Sequence, residues 1–283
     1  MITTPHYDTI AVAFLFQTRY TNYDYMQKCF SQQRTNTMIR FLAIITFIFL
    51  FLVCTLPLLL VFWLLHKRFP EKIDRLSFAI FQGALRGVTR LAGTEVTVLG
   101  KENIPQGKPV LYIGNHTSFF DIIIPYTLVP DLTGYVSKKS MEKFPGLNFW
   151  MVRMHCLFLD RANVKEGLKT ILSAIDKVKS GISIFIFPEG TRNKTPETLM
   201  EFKGGSFKIA EKSGCPIIPV TMVNMSDIFE DHLPRVKKTR VVIEFGAPID
   251  MNTLDRENKK HIGAYVQNVI AETYKKNKEL YFK

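Results

Sequence analysis

The sequence predicts an α/β fold, a mixed and largely parallel sheet flanked by helices, with an N-terminal membrane-anchoring helix ahead of it. Three observations carry this. After Gly93, short β-rich runs alternate with helix-like stretches, as in strands wound with crossover helices. Several runs are apolar throughout, above all Ile182-Ser183-Ile184-Phe185-Ile186-Phe187, so their sheet is covered on both faces. Upstream, Phe41 to Leu65 contains no charged residue.

A chain of 283 residues can bury one good-sized core with additions. With 22% charged and 47% hydrophobic residues it is not a disordered chain, and a globular protein attached to a membrane fits the balance. The net charge of +12 suits anionic partners: nucleic acid, an anionic bilayer or a phosphorylated substrate. Cys29, Cys54, Cys156 and Cys215 lie far apart without a C-x-x-C pair, which indicates neither a disulfide framework nor a zinc site. They read as reduced thiols in a protein facing the cytosol.

Residues 1–37 form an N-terminal extension of uncertain status, with scattered tyrosines and one apolar patch, Ile10 to Phe16, too short to cross a bilayer. Met38 stands just before the long apolar run, where membrane-anchored chains often begin. Residues 38–92 read as membrane anchor and amphipathic helix. About 25 helical residues rise roughly 37 Å, enough to span a hydrocarbon core of about 30 Å with some tilt. Arg40 flanks one end, while His66, Lys67, Arg68, Lys72 and Arg75 crowd the other, which places the C-terminal side in the cytoplasm. Pro57 offers an alternative, a bend that lays the segment in one leaflet. From Ile73 to Leu91 apolar residues recur at helical spacing with Arg75, Arg86 and Arg90 opposite, suited to an anionic bilayer surface or to packing on the following domain.

Residues 93–283 form the α/β domain. Strands are expected at Glu95–Leu99, Pro109–Ile113, Tyr135–Ser137, Cys156–Leu159, Ile182–Phe187, Pro216–Met222 and Val241–Phe245, and helices at Val164–Lys179 and Phe207–Lys212. Pro216 and Pro219 mark their strand as an edge or irregular one. Arg256 to Leu280 reads as a basic helix with Ile262, Val266, Val269, Ile270 and Thr273 on one side and a solvated cationic face on the other.

The polar residues fall after strands, where open α/β sheets collect ligands. Gly114-Asn115-His116-Thr117-Ser118-Phe119-Phe120-Asp121 leaves the second strand. Across a strand-to-helix turn the Asp121 carboxylate can take the His116 Nδ1–H and leave Nε2 as a base, with a substrate hydroxyl where a triad would have its serine. Asp160-Arg161 offers a planar fork for phosphate. Phe187-Pro188-Glu189-Gly190-Thr191-Arg192 suggests a tight backbone for an anion or oxyanion, with Glu189 able to bind hydroxyls. Lys203-Gly204-Gly205 precedes a helix and lacks P-loop spacing. No D-x-H accompanies Gly114-Asn115-His116, against a metal-dependent phosphoesterase, and no G-x-S-x-G elbow exists, against a serine hydrolase.

Asn115 to Asp121, Phe158 to Arg161, Phe187 to Arg192 and Ile217 to Val220 together resemble, in order, the four blocks of the glycerolipid acyltransferase family, specifically the bacterial 1-acyl-sn-glycerol-3-phosphate acyltransferases with H-x4-D and F-P-E-G-T-R motifs. The resemblance covers about residues 70 to 250. It implies His116 as general base, Asp121 as its orienting partner, and Arg161, Glu189, Gly190, Thr191 and Arg192 as the glycerophosphate site, with Lys203 a further phosphate ligand. It further implies acyl-CoA or acyl carrier protein as donor, lysophosphatidate as acceptor, membrane lipids as surroundings, a cell-membrane location with the catalytic domain facing the cytoplasm, and no cofactor, metal or nucleic acid. Glycerol 3-phosphate or another lysophospholipid is the alternative acceptor, and a non-catalytic anionic-lipid-binding protein the remote alternative. On this reading Asp121→Asn acts by favouring the wrong histidine tautomer.

Overall fold

In the computed structural model, residues 32, 34–195 and 197–282 are described; the patch at residues 10–16 and Cys29 lie outside them. The charge-free run is helical but interrupted. Helix α1, Arg34–Cys54, is long and apolar enough to cross a membrane by length and composition, and α2, Leu56–His66, follows after Thr55. Pro57 sits in the first turn of α2, where its missing N–H leaves no bond unmade. Helix α3, Pro70–Ala92, ends at Gly93, whose φ of +69° supplies the left-handed cap.

The α1–α2 segment lies back along this fold. Thr37 O accepts the Val236 N–H at 3.2 Å and Phe41 stacks on Phe229 at 5.8 Å, near the start of α1. Thr55 Oγ1 accepts the Trp150 Nε1–H at 2.9 Å, and Phe47 packs against Gly87 so closely that a Cβ there would lie 2.7 Å from the ring. Beyond α2 the fastening is ionic. Asp74 of α3 accepts from Arg153 at 2.6 Å and His155 at 3.0 Å, with His66 Nε2 at 3.1 Å. Burial and the nearby Lys177 hold the His155 imidazole below its usual range.

Seven strands follow: β1 Glu95–Leu99, β2 Leu111–Gly114, β3 Thr133–Lys138, β4 Leu157–Leu159, β5 Ser183–Ile186, β6 Ile217–Val223 and β7 Arg240–Phe245. Their order is β1-β7-β6-β2-β5-β3-β4. Among these described strands only β6 and β7 pair antiparallel, so β2 to β6 run the same way and their C-terminal ends share one edge. Every residue of β2, β5 and β6 is buried, as apolar strands covered on both faces require.

Alternation of side chains divides the core into two layers. Tyr112, Phe185, Val220 and Ile243 pack under α1 to α3 and two helices the sequence did not announce, α4 Phe120–Tyr126 and α5 Leu147–Arg153. Leu111, Ile113, Ile184 and Ile186 face α6 Val164–Lys179, α7 Lys208–Ser213 and the last long helix. That tail is two pieces, α8 Arg256–Lys260 and α9 Ile262–Tyr281, joined at His261. Ile262, Val266 and Ile270 of its expected apolar side are buried, and Tyr274 with them. The edge assignment for Pro219 is corrected: β6 lies between β7 and β2. Proline is tolerated there because it falls between the Ile217–Ile249 bridge and the Val220–Phe245 pair, where its oxygen accepts the Gly246 N–H and its missing N–H interrupts no ladder pair with β7.

Candidate active site

The shared C-terminal edge gathers the loops after β2, β5 and β6. At its centre β2 ends in Gly114, and Asn115 continues the ladder with its side chain. Its Nδ2 donates to Met222 O and its Oδ1 accepts the Met222 N–H, both at 2.9 Å. The next residue, His116, is thereby lifted off the sheet at the rim.

His116 is held by main chain and ring alike. Its N–H donates to Glu189 Oε1 at 2.8 Å, and its carbonyl accepts the Asn193 N–H at 2.6 Å. The imidazole stacks on Phe187 with centroids 4.2 Å apart. Nδ1 lies 3.0 Å from Asp121 Oδ2, and that same oxygen accepts the N–H groups of Thr117 and Ser118. Asp121 stands in the first turn of α4 with no solvent exposure, so carboxylate, turn and helix start are one unit. Nε2 makes no hydrogen bond with the described residues.

Glu189 is 2% exposed, and its two oxygens accept main-chain N–H groups, from His116 and, at 3.2 Å, from Met200. Burial pushes its carboxyl above the usual range, against the pull of those two donors. Such a group fixes the backbone of His116; the geometry does not present it to a substrate hydroxyl. Glu189→Ala takes the acceptor from two part-buried main-chain donors, at up to about 1–3 kcal/mol each. Thermal unfolding should therefore fall by several degrees, with Glu189→Gln in between because an amide has one acceptor oxygen. An unchanged midpoint in both variants contradicts this.

Gly190 has a φ of +77°, and a Cβ there would come 3.0 Å from Lys203 Nζ. Glycine is needed on both counts. Its N–H is already taken by Phe187 O at 3.0 Å, so that amide is not free for the anion or oxyanion the tight backbone suggested. Thr191 is exposed at the tip. Arg192 lies with its guanidinium 4.0 Å over the Phe119 ring and its Nη1 3.0 Å from Glu230 Oε1. Arg161 is exposed after β4, which is three strands from β2, about 14 Å at the usual spacing. It shares the edge with His116 and stands apart from the cluster.

Two contributors escaped the sequence reading. Asn193, 5% exposed, bonds Thr195 and Thr198 to stiffen the loop that holds His116; its place directly after Arg192 was the only signal. Glu230, 38 positions beyond Arg192, gave none. Among the described residues no group of His, Cys, Asp and Glu could hold a metal ion.

A histidine–carboxylate pair thus stands on the strand edge of an α/β sheet, with an arginine on the neighbouring loop. The Acyltransferase family profile matches residues 95–223. The 1-acyl-sn-glycerol-3-phosphate acyltransferase of Borreliella burgdorferi is 32% identical over 199 residues, 70% of this chain and 79% of that protein. Its namesake in Salmonella typhimurium is 30% identical over 82% of this chain and 91% of its own length. The chain belongs to the 1-acyl-sn-glycerol-3-phosphate acyltransferase family. The fold is also that of the solved 1-acyl-sn-glycerophosphate acyltransferase of Thermotoga maritima, with a TM-score of 0.76 at 23% identity, covering 89% of this chain and 100% of that one.

Proposed function

We propose that the protein transfers a fatty acyl group from acyl-CoA or acyl carrier protein to the sn-2 hydroxyl of 1-acyl-glycerol-3-phosphate, giving phosphatidic acid for phospholipid synthesis. The observation that carries this is the 3.0 Å pairing of His116 with Asp121 in a chain of this family. With Nδ1–H donated to the carboxylate, Nε2 takes the proton of the acceptor hydroxyl as its oxygen attacks the thioester carbonyl. The tetrahedral intermediate collapses with loss of the thiolate, to which the imidazolium returns the proton. Phosphatidate and a free thiol leave. No acyl-enzyme is formed.

In this reading Arg192 binds the acceptor phosphate, Lys203 adds positive charge beside Gly190, and Arg161 serves a more distant anionic group on the same edge. Gly190 and Thr191 shape the loop, and Glu189 acts through the His116 main chain. The site opens to a membrane. Helix α1 exposes Leu42, Ile45, Phe49 and Leu50, while its start and the kink after it both touch the α/β domain. A helix fastened to one domain near both ends suits an in-plane seat in one leaflet better than a crossing. The domain then faces the cytoplasm, and lysophosphatidate enters from the bilayer.

The test is thiol release from acyl-CoA by purified protein in detergent, with lysophosphatidate, glycerol 3-phosphate and lysophosphatidylethanolamine in parallel and acyl carrier protein as second donor. Release dependent on lysophosphatidate supports the proposal. Release with another acceptor alone moves the assignment to that acceptor, and none with either donor refutes it.

A further inference from the structure

We infer that Glu230, which lies outside every motif of the sequence, is a positioning residue that holds Arg192 over the His116–Asp121 turn and so fixes where the acceptor phosphate sits; this rests on the acyltransferase reading above. Glu230 opens a short 3-10 turn, Glu230–His232, in the connection between β6 and β7. Its side chain is only 14% exposed. Oε2 accepts the Ser118 hydroxyl at 2.6 Å, while Oε1 accepts the Phe119 N–H at 2.8 Å and Arg192 Nη1 at 3.0 Å. One carboxylate therefore joins the loop after β2 to the loop after β5, from a third loop between them and α1.

The consequence falls on Arg192. Its guanidinium is gripped at one edge by Glu230 and on one face by Phe119. Of its five N–H donors most remain for a phosphate, and the side chain gives up less rotamer freedom on binding because it is already oriented. An ordinary surface ion pair would do little of this. This carboxylate is largely buried and takes two further hydrogen bonds from the catalytic turn. It is also braced from behind, since Phe229 stacks on Phe41 of α1 and the Val236 N–H reaches Thr37 O. The brace runs from the apolar helix to the arginine.

Glu230→Ala, Glu230→Gln, Arg192→Ala and Arg192→Ala/Glu230→Ala are compared for transfer to lysophosphatidate and for equilibrium binding of lysophosphatidate in detergent micelles. We expect Glu230→Ala to raise KM and the micelle Kd about 10-fold with a smaller change in kcat, and to lower the thermal midpoint by a few degrees because the Ser118 hydroxyl and the Phe119 N–H lose their acceptor. Glu230→Gln, which keeps an acceptor oxygen for Phe119 and Arg192, should stay within about 3-fold of wild type. In the Arg192→Ala background the alanine change should cost less than about 3-fold, because the residue acts through Arg192. If the full loss persists there, or if Glu230→Ala leaves KM and Kd unchanged or lowers them, the inference is overturned. A wild-type chain that binds lysophosphatidate without acylating it overturns the proposed reaction, while the binding comparison still decides the role of Glu230. No binding by the wild type overturns both.

Discussion

Replacing His116 by alanine should lower kcat by about 10²- to 10⁴-fold, the usual contribution of a positioned general base, while the protein still folds. Folding survives because the main-chain bonds of His116, to Glu189 and from Asn193, need no imidazole. What is lost is the ring stacking on Phe187, worth about 0.5–1.5 kcal/mol, and the bond to Asp121. Because the N–H groups of Thr117 and Ser118 still donate to that carboxylate, it is not left bare. A midpoint within a few degrees of wild type, with thiol release near background, is the expected pair of results. Near-normal turnover in a folded His116→Ala protein rules the base out.

The strands were legible because they are apolar throughout and short, and β1 falls on the expected Glu95–Leu99. Helix α6 was as clear, since its apolar face recurs at helical spacing and Asn163 caps it by accepting the Glu166 N–H. Elements that packing decides were not legible. Phe120–Tyr126 is nearly all apolar and contains Pro125, so periodicity says little, and it becomes a helix because Asp121 ties the turn before it. The central place of β6 contradicts the local meaning of Pro219, and only the end of β7 beside it resolves the conflict.

Within the site, the pairing of His116 with Asp121 follows from five-residue spacing across a strand-to-helix turn, which a sequence displays. What Glu189 does is not displayed. A glutamate between Pro188 and Gly190 looks like a solvent-facing ligand until β5 is set beside β2, and the carboxylate then meets the His116 N–H. Glu230 is harder still, because its three partners lie in two other loops and no spacing rule connects them.

Asp121→Asn should reduce kcat by about 10²- to 10³-fold with a smaller loss of stability than Asp121→Ala, for a reason other than the one the sequence suggests. An amide could in principle turn its NH2 toward His116 and impose the wrong tautomer. Here one oxygen, Oδ2, accepts from Thr117, Ser118 and His116 together, whereas Oδ1 is buried without a partner among the described residues. The asparagine must therefore place its oxygen at the Oδ2 position and its NH2 at the other, which keeps both the turn and the Nδ1–H tautomer. What disappears is the negative charge facing the imidazolium as it forms. Two unit charges at about 4 Å and an effective dielectric near 20 interact by about 4 kcal/mol, and the expected loss in kcat is somewhat below that limit. Asp121→Ala should in addition lower the unfolding midpoint, since it strands the N–H groups of Thr117 and Ser118. Equal thermal losses in the two variants would show that the amide does not hold the turn, and wild-type kcat in a stable Asp121→Asn protein would show that the charge takes no part in the reaction.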